Sequence, residues 1–102
     1  MKQVGIVLST PPEVGDFPRV MRLALAARER GIEVGIFLMS AAVTWVSDAY
    51  VARLLDEGCD VVACGTSLAR LGISDVSTGV VVGSQDDHAA LVDRADRIVA
   101  FT

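Results

Sequence analysis

Five short apolar runs recur along this chain with little polar interruption, and a helix-length segment or turn separates each from the next. They are Gln3–Ser9, Glu33–Met39, Asp60–Ala63, Val80–Val82 and Arg97–Phe101. A strand with one wet face alternates apolar and polar residues, whereas a strand covered on both faces reads as a continuous apolar run. Between the runs, Phe17–Arg30 carries Phe17, Val20, Met21, Ala24 and Ala27 on one helical face before Gly31. Val46–Glu57 reads as a helix closed by Gly58, Thr66–Leu71 as a short helix ended by Gly72, and Gln85–Arg94 as a helix with Ser84 as its N-cap. Strands covered on both sides and separated by helices predict an α/β fold, a parallel sheet with flanking helices. At 102 residues the pattern fits a single domain over 1–102.

Composition narrows the function classes. With 52% hydrophobic and 22% charged residues the chain is not a disordered one, and its apolar content predicts self-association. The net charge is -4 and the arginines are scattered from Arg19 to Arg97, so there is no basic stripe for a phosphate backbone and no nucleic acid is expected as partner. The longest uncharged stretch, Val34–Ser47, falls short of the roughly 20 residues a membrane span requires, so no membrane is expected either. The apolar run Val4–Leu8 is too short for a signal-peptide core, and a cytoplasmic, reducing location is the default expectation.

In a parallel sheet the carboxyl ends of the strands gather along one edge, where open α/β folds bind their ligands. Here that edge receives Ser9-Thr10, Met39-Ser40, Cys64-Gly65 and Gly83-Ser84: hydroxyls and glycines around one thiol. Cys64 lies between a strand and the N-terminus of a helix, where free N–H groups and the helix dipole favour the thiolate. The alternative is a small apolar residue filling a strand end. Cys59 and Cys64 bracket the third apolar run, about 16 Å apart in extended geometry and outside disulfide reach. Two cysteines and one histidine do not make a four-ligand zinc site, so no metal is expected.

Other residues read more plainly. His88, beside Asp86 and Asp87, reads as part of a solvated polar face. The loop Ser9–Asp16, with one glycine and two prolines, matches neither a dinucleotide fingerprint nor a P-loop, and no cofactor is expected. Trp45 and Tyr50 flank the cysteine edge as core or interface residues, or as the lip of a site.

Cys64-Gly65-Thr66-Ser67 with Leu71-Gly72-Ile73, the Gly79-Val80 to Gly83-Ser84 segment and the closing Ala95-Asp96-Arg97-Ile98-Val99-Ala100-Phe101 resemble the DsrE/DsrF-like family of small sulfur-relay proteins. The likeness runs over nearly the whole chain and takes in the Leu25–Val34 stretch. It implies a five-stranded parallel sheet in the order 4-3-2-1-5, homo-oligomers or mixed oligomers, and a cysteine, here Cys64, that carries sulfur as a persulfide.

On that reading the protein is a persulfide carrier or sulfurtransferase that takes sulfur from a donor protein and hands it to an acceptor. Gly65, Thr66 and Ser67 would stabilise the sulfur, with Thr10, Ser40, Trp45 and Ser84 at the edge of the site. The alternatives are an inert oligomeric scaffold with a structural Cys64, or a module that binds a small anion or thiol metabolite at the Thr66 helix terminus. The implied strand order also makes a prediction about coverage. Right-handed crossovers put the first three helices on one sheet face and leave only Gln85–Arg94 for the other. A helix of about 15 Å does not span five strands about 4.8 Å apart, so apolar surface on strands 1 to 3 is expected to be left for a homo-oligomer, together with Trp45 or Tyr50.

Overall fold

The computed structural model describes residues 1–102. The strands are β1 (Gln3–Leu8), β2 (Glu33–Leu38), β3 (Asp60–Cys64), β4 (Val81–Gly83) and β5 (Arg97–Phe101). The helices are α1 (Phe17–Glu29), α2 (Ala49–Asp56), α3 (Gly65–Arg70) and α4 (Gln85–Arg94), with 3₁₀ turns at Pro12–Val14 and Ser40–Ser47. All strand pairs are parallel and the order is β4-β3-β2-β1-β5, as the resemblance implies.

The order follows from short, right-handed connections. β1 to β2, β2 to β3 and β3 to β4 each step one place in the same direction, so the segments between them cover one face. There Val4, Ile6 and Leu8 of β1, Val34, Ile36 and Leu38 of β2, and Val61 and Ala63 of β3 meet Phe17, Val20, Met21 and Ala24 of α1, Val51 and Leu54 of α2, and Leu68 of α3. Each fully buried Val, Leu, Ile or Phe in this layer contributes about 1.5–3 kcal/mol of transfer free energy. The step from β4 back to β5 carries α4 to the other face, where the core is only Val7, Phe37, Cys64 and Leu91.

That second face is better covered on its central strands than helix length alone predicts. Gly5 and Gly35 pair side by side in β1 and β2, directly beneath Leu91. A Cβ at Gly35 would stand 2.7 Å from Leu91 Cδ1, so the absence of side chains lets α4 settle close to the sheet. The expected apolar remainder on strands 1 to 3 is therefore corrected. Val7 and Phe37 are buried, and the exposed apolar residues of this face are on the outer strands: Val81 of β4 at 57% and Ile98 of β5 at 36%.

Two boundaries differ from the sequence reading in ways that matter for the site. The expected helix Val46–Glu57 is two elements, the 3₁₀ segment Ser40–Ser47 and then α2, because Asp48 breaks the run as an N-cap whose carboxylate accepts from Tyr50 N–H at 2.8 Å. β4 is Val81–Gly83 rather than Val80–Val82, which sets Gly83 opposite Cys64 across the β3–β4 ladder. At the other end of β3, Gly58 takes a φ of 88° and lets Cys59 N–H bond back to Leu54 carbonyl oxygen at 3.0 Å, closing α2 and launching the strand.

Candidate functional site

Cys64 is the last residue of β3 and the N-cap of α3, and its side chain points to the α4 face among Val7, Phe37 and Leu91. Burial, at 5% exposure, pushes the thiol up. Four donors outweigh it: the Ser67 hydroxyl, the backbone N–H groups of Ser67 and Thr66, and the Gln85 side-chain amide. The result is a thiol that titrates below its ordinary value. The backbone donors are the free N–H groups of the first turn of α3, which have no carbonyl partner within the helix.

The Ser67 hydroxyl is held in place from behind. Its oxygen accepts from Ser40 N–H at 2.9 Å, which leaves its own proton to donate toward the sulfur. Ser40 is the one non-glycine residue with positive φ, at 54°. A left-handed conformation costs about 1–2 kcal/mol for such a residue, and here it accompanies a turn that aims a backbone donor at Ser67. Beside these two serines lies a pocket of about 150 Å³ lined also by Ala41, Arg70 and Leu71. Arg70 is not among the groups that shift the thiol.

Gln85, the first residue of α4, stands across the sulfur with Nε2 4.0 Å from Cys64 Sγ. The helix start that places it is fixed by a reciprocal cap. Ser84 Oγ accepts from Asp86 N–H at 3.2 Å and Ser84 N–H donates to Asp87 Oδ2 at 2.8 Å. The Gln85 carbonyl Oε1 in turn bonds His88 Nδ1 at 2.9 Å, and the His88 ring stacks on Phe37 with centroids 5.1 Å apart and planes 14° off parallel. His88 is thus not the freely solvated residue the sequence suggests but half-buried on the sheet.

The structure brings Cys64, Gly65, Thr66, Ser67 and Ser40 together, with Ser84 one residue from the site as the cap of α4. Gly65 lies close to β4, where a Cβ would come within 3.2 Å of Val82 Cγ1 and 3.3 Å of Gly83 carbonyl oxygen. Thr10 and Trp45 are occupied elsewhere. Thr10 Oγ1 donates to Asp16 Oδ2 at 2.7 Å, and the Trp45 ring stacks on Phe17 at 4.3 Å, in the layer on the opposite sheet face from Cys64. Tyr50 packs near the same Phe17 ring at 6.3 Å. Gln85 and His88 were not singled out from sequence as site residues. The available signal was their position, two and five residues after a β4 carboxyl end that faces Cys64.

Cys59, just before β3, offers a contrast. It is 3% exposed, and its thiol is pushed up to about 11 by burial, with Arg28 pulling down and Asp60 and Glu57 pushing up. Both cysteines are free thiols. No helix is long and apolar enough to cross a membrane.

Comparison with known proteins agrees with this architecture. The model of the DsrE/DsrF-like family matches residues 2–101, so the chain belongs to that family. Among solved structures it is similar to the ychN protein from E. coli, with 26% identity and a TM-score of 0.88 over 99% of this chain and 100% of that one. It also shares its fold with a conserved protein of unknown function from Bacteroides thetaiotaomicron, with 19% identity and a TM-score of 0.82 over 98% of this chain and 95% of that one. No curated protein sequence matches.

Proposed function

We propose that this member of the DsrE/DsrF-like family is a sulfur-relay protein that holds sulfane sulfur on Cys64. The observation that carries the reading is the donor set around the sulfur. Two backbone N–H groups, the Ser67 hydroxyl and the Gln85 amide converge on one thiol and hold it below its ordinary titration point in spite of burial.

The chemistry needs a thiolate and little else. Cys64 thiolate attacks the outer sulfur of a donor persulfide, R–S–SH. The donor S–S bond breaks as the new one forms, R–S⁻ leaves with the electron pair, and Cys64 holds –S–SH. An acceptor thiolate repeats the step on the outer sulfur and returns Cys64 as thiolate, so no oxidant or reductant is consumed. The same donors that favour the thiolate before attack favour it again as the leaving group when sulfur is passed on.

The partners of such a relay are a sulfur donor protein and an acceptor, and self-association through the apolar residues of the outer strands, Val81 and Ile98, is part of the proposal. A cytoplasmic, reducing setting suits a carrier whose thiol must stay free.

One observation favours a second reading. At 5% exposure Cys64 is shielded within the single chain, as a structural cysteine of an inert scaffold would be. On the relay reading the shield opens by rotation of Gln85, an exposed side chain whose amide stands across the sulfur. Mass analysis after incubation with a small-molecule persulfide donor tests the two. Addition of one sulfur to the wild type and to Cys59→Ser, and none to Cys64→Ser, is the expected result. An unmodified wild type, under conditions that load an established persulfide carrier, overturns the relay.

A further inference from the structure

We infer that His88 is a positioning residue for Cys64: through its tautomer it fixes the Gln85 side-chain amide with the NH₂ group, rather than the carbonyl oxygen, turned to the sulfur. The inference rests on the relay reading for its biological meaning, although its physical content is independent of sulfur transfer.

Three contacts form a chain across the α4 face: the Phe37 ring under the His88 ring, His88 Nδ1 to Gln85 Oε1 at 2.9 Å, and Gln85 Nε2 to Cys64 Sγ at 4.0 Å. A primary amide is nearly symmetric in shape and opposite in function at its two ends. Turned one way it offers N–H donors to a thiolate, and turned the other way it places a carbonyl lone pair against it. Nothing in the Gln85 side chain itself selects between them.

His88 supplies the selection. A carbonyl oxygen only accepts, so the bond to Gln85 Oε1 requires the proton on His88 Nδ1. With the proton on Nε2 instead, two acceptors would face each other at 2.9 Å, and the amide would turn over to bring NH₂ to the ring and its oxygen to the sulfur. Stacking on Phe37 keeps the ring plane in place, and the three-residue spacing on α4 puts ring and amide on one helix face. The stand-off of 4.0 Å also has a use. The outer sulfur of a persulfide lies about 2 Å beyond Sγ, so the amide stands where it can serve either sulfur.

The test uses the folded wild-type protein and an alkylating reagent, with no sulfur donor. Because the chain has a single histidine, nitrogen NMR of its imidazole reads one tautomer without ambiguity. The Nδ1–H form is expected, and a neutral ring protonated on Nε2 overturns the inference. Labelling of Cys64 at fixed pH then reads the coupling. Gln85→Met, which keeps the cover over the sulfur and removes the amide, should slow it about twofold to threefold, the size of one weak hydrogen bond to a charged sulfur. His88→Phe keeps the stacking surface and removes the ring nitrogen, and should slow it as much.

The double variant should be no slower than either single one, because His88 acts only through Gln85. Additive losses, or no loss on His88→Phe, overturn the inference. These outcomes are separate from the fate of the relay. A protein that never loads sulfur can still show the coupling, and a working carrier can lack it.

Discussion

Cys59, the residue just before β3, and Cys64, its last residue, are nearly equally hidden from solvent, at 3% and 5% exposure, and the chain makes opposite thiols of them. Surface exposure therefore does not distinguish the two; depth and direction do, Cys59 being packed more deeply than Cys64. At the amino end of the strand, Cys59 follows the carbonyl end of α2 with Glu57 and Asp60 on either side, and only Arg28 pulls its thiol down, so burial wins. At the carboxyl end the chain turns into α3, and the N–H groups of its first turn face back onto Cys64. A parallel sheet repeats this polarity at every strand, which is why its carboxyl edge is the chemically productive one.

The largest expected effect follows directly. At pH 7 a thiol at about 11 is ionised in roughly one molecule in ten thousand, whereas one below the ordinary value is ionised at the per cent level or more, a gap of at least a hundredfold. The more basic thiolate is intrinsically the better nucleophile, which returns about tenfold over such a gap. Cys64 should therefore alkylate at least about tenfold faster than Cys59 in the folded protein, as peptide mapping of a timed labelling reaction would measure. Equal rates would break the comparison outright.

The fold was legible because its signals are local. Continuous apolar runs give covered strands, and Gly31, Gly58 and Gly72 close the three helices at the positions the sequence reading gave. The thiol at the turn into α3 was legible for the same reason, since strand end and helix start are adjacent in sequence. What was not legible depends on contacts between distant segments. Gln85 reaches Cys64 across 21 positions, and the Ser40 turn meets Ser67 across 27. Trp45 shows the converse. Its place near the carboxyl end of β2 suggested the cysteine edge, but the 3₁₀ segment Ser40–Ser47 lies on the other layer and turns the indole onto Phe17. Loop direction of that kind is set by packing, not by the sequence of the loop alone.

Two substitutions sharpen the contrast between the ends. Ser67→Ala removes a donor from the Cys64 sulfur and leaves Ser40 N–H without its acceptor. It should slow Cys64 labelling severalfold and lower stability by about 1 kcal/mol, read by denaturant titration, the cost of one part-buried hydrogen bond. Arg28→Met tests the other end. Arg28 Nε donates to Glu57 carbonyl oxygen at 2.9 Å and Nη1 to Ile32 carbonyl oxygen at 3.2 Å, tying the end of α2 to the start of β2. Its loss should cost about 0.5–1 kcal/mol, since the pair is partly exposed, and should leave Cys64 labelling unchanged. A change at Cys64 would show that the two ends are not independent.

The smallest effect concerns how the amino edge of the sheet is held. Asp96, just before β5, accepts from Gln3 N–H at 2.9 Å and Lys2 N–H at 2.8 Å with one carboxylate oxygen, and these bonds hold its titration below the ordinary carboxylate value of 3.8. A carboxylate whose folded value is depressed adds stability that is complete above the unfolded value and is lost as pH falls through the folded one. Asp96→Asn keeps an oxygen acceptor and removes the charge. The variant should melt slightly below the wild type at neutral pH, with a gap that closes as pH falls below 3.8, followed by thermal denaturation across that range. A gap that stays constant into acid would mean that the charge contributes nothing. The amino edge would then be held by the β1–β2 and β1–β5 ladders and by Asp96 as a hydrogen-bond acceptor whose charge adds nothing.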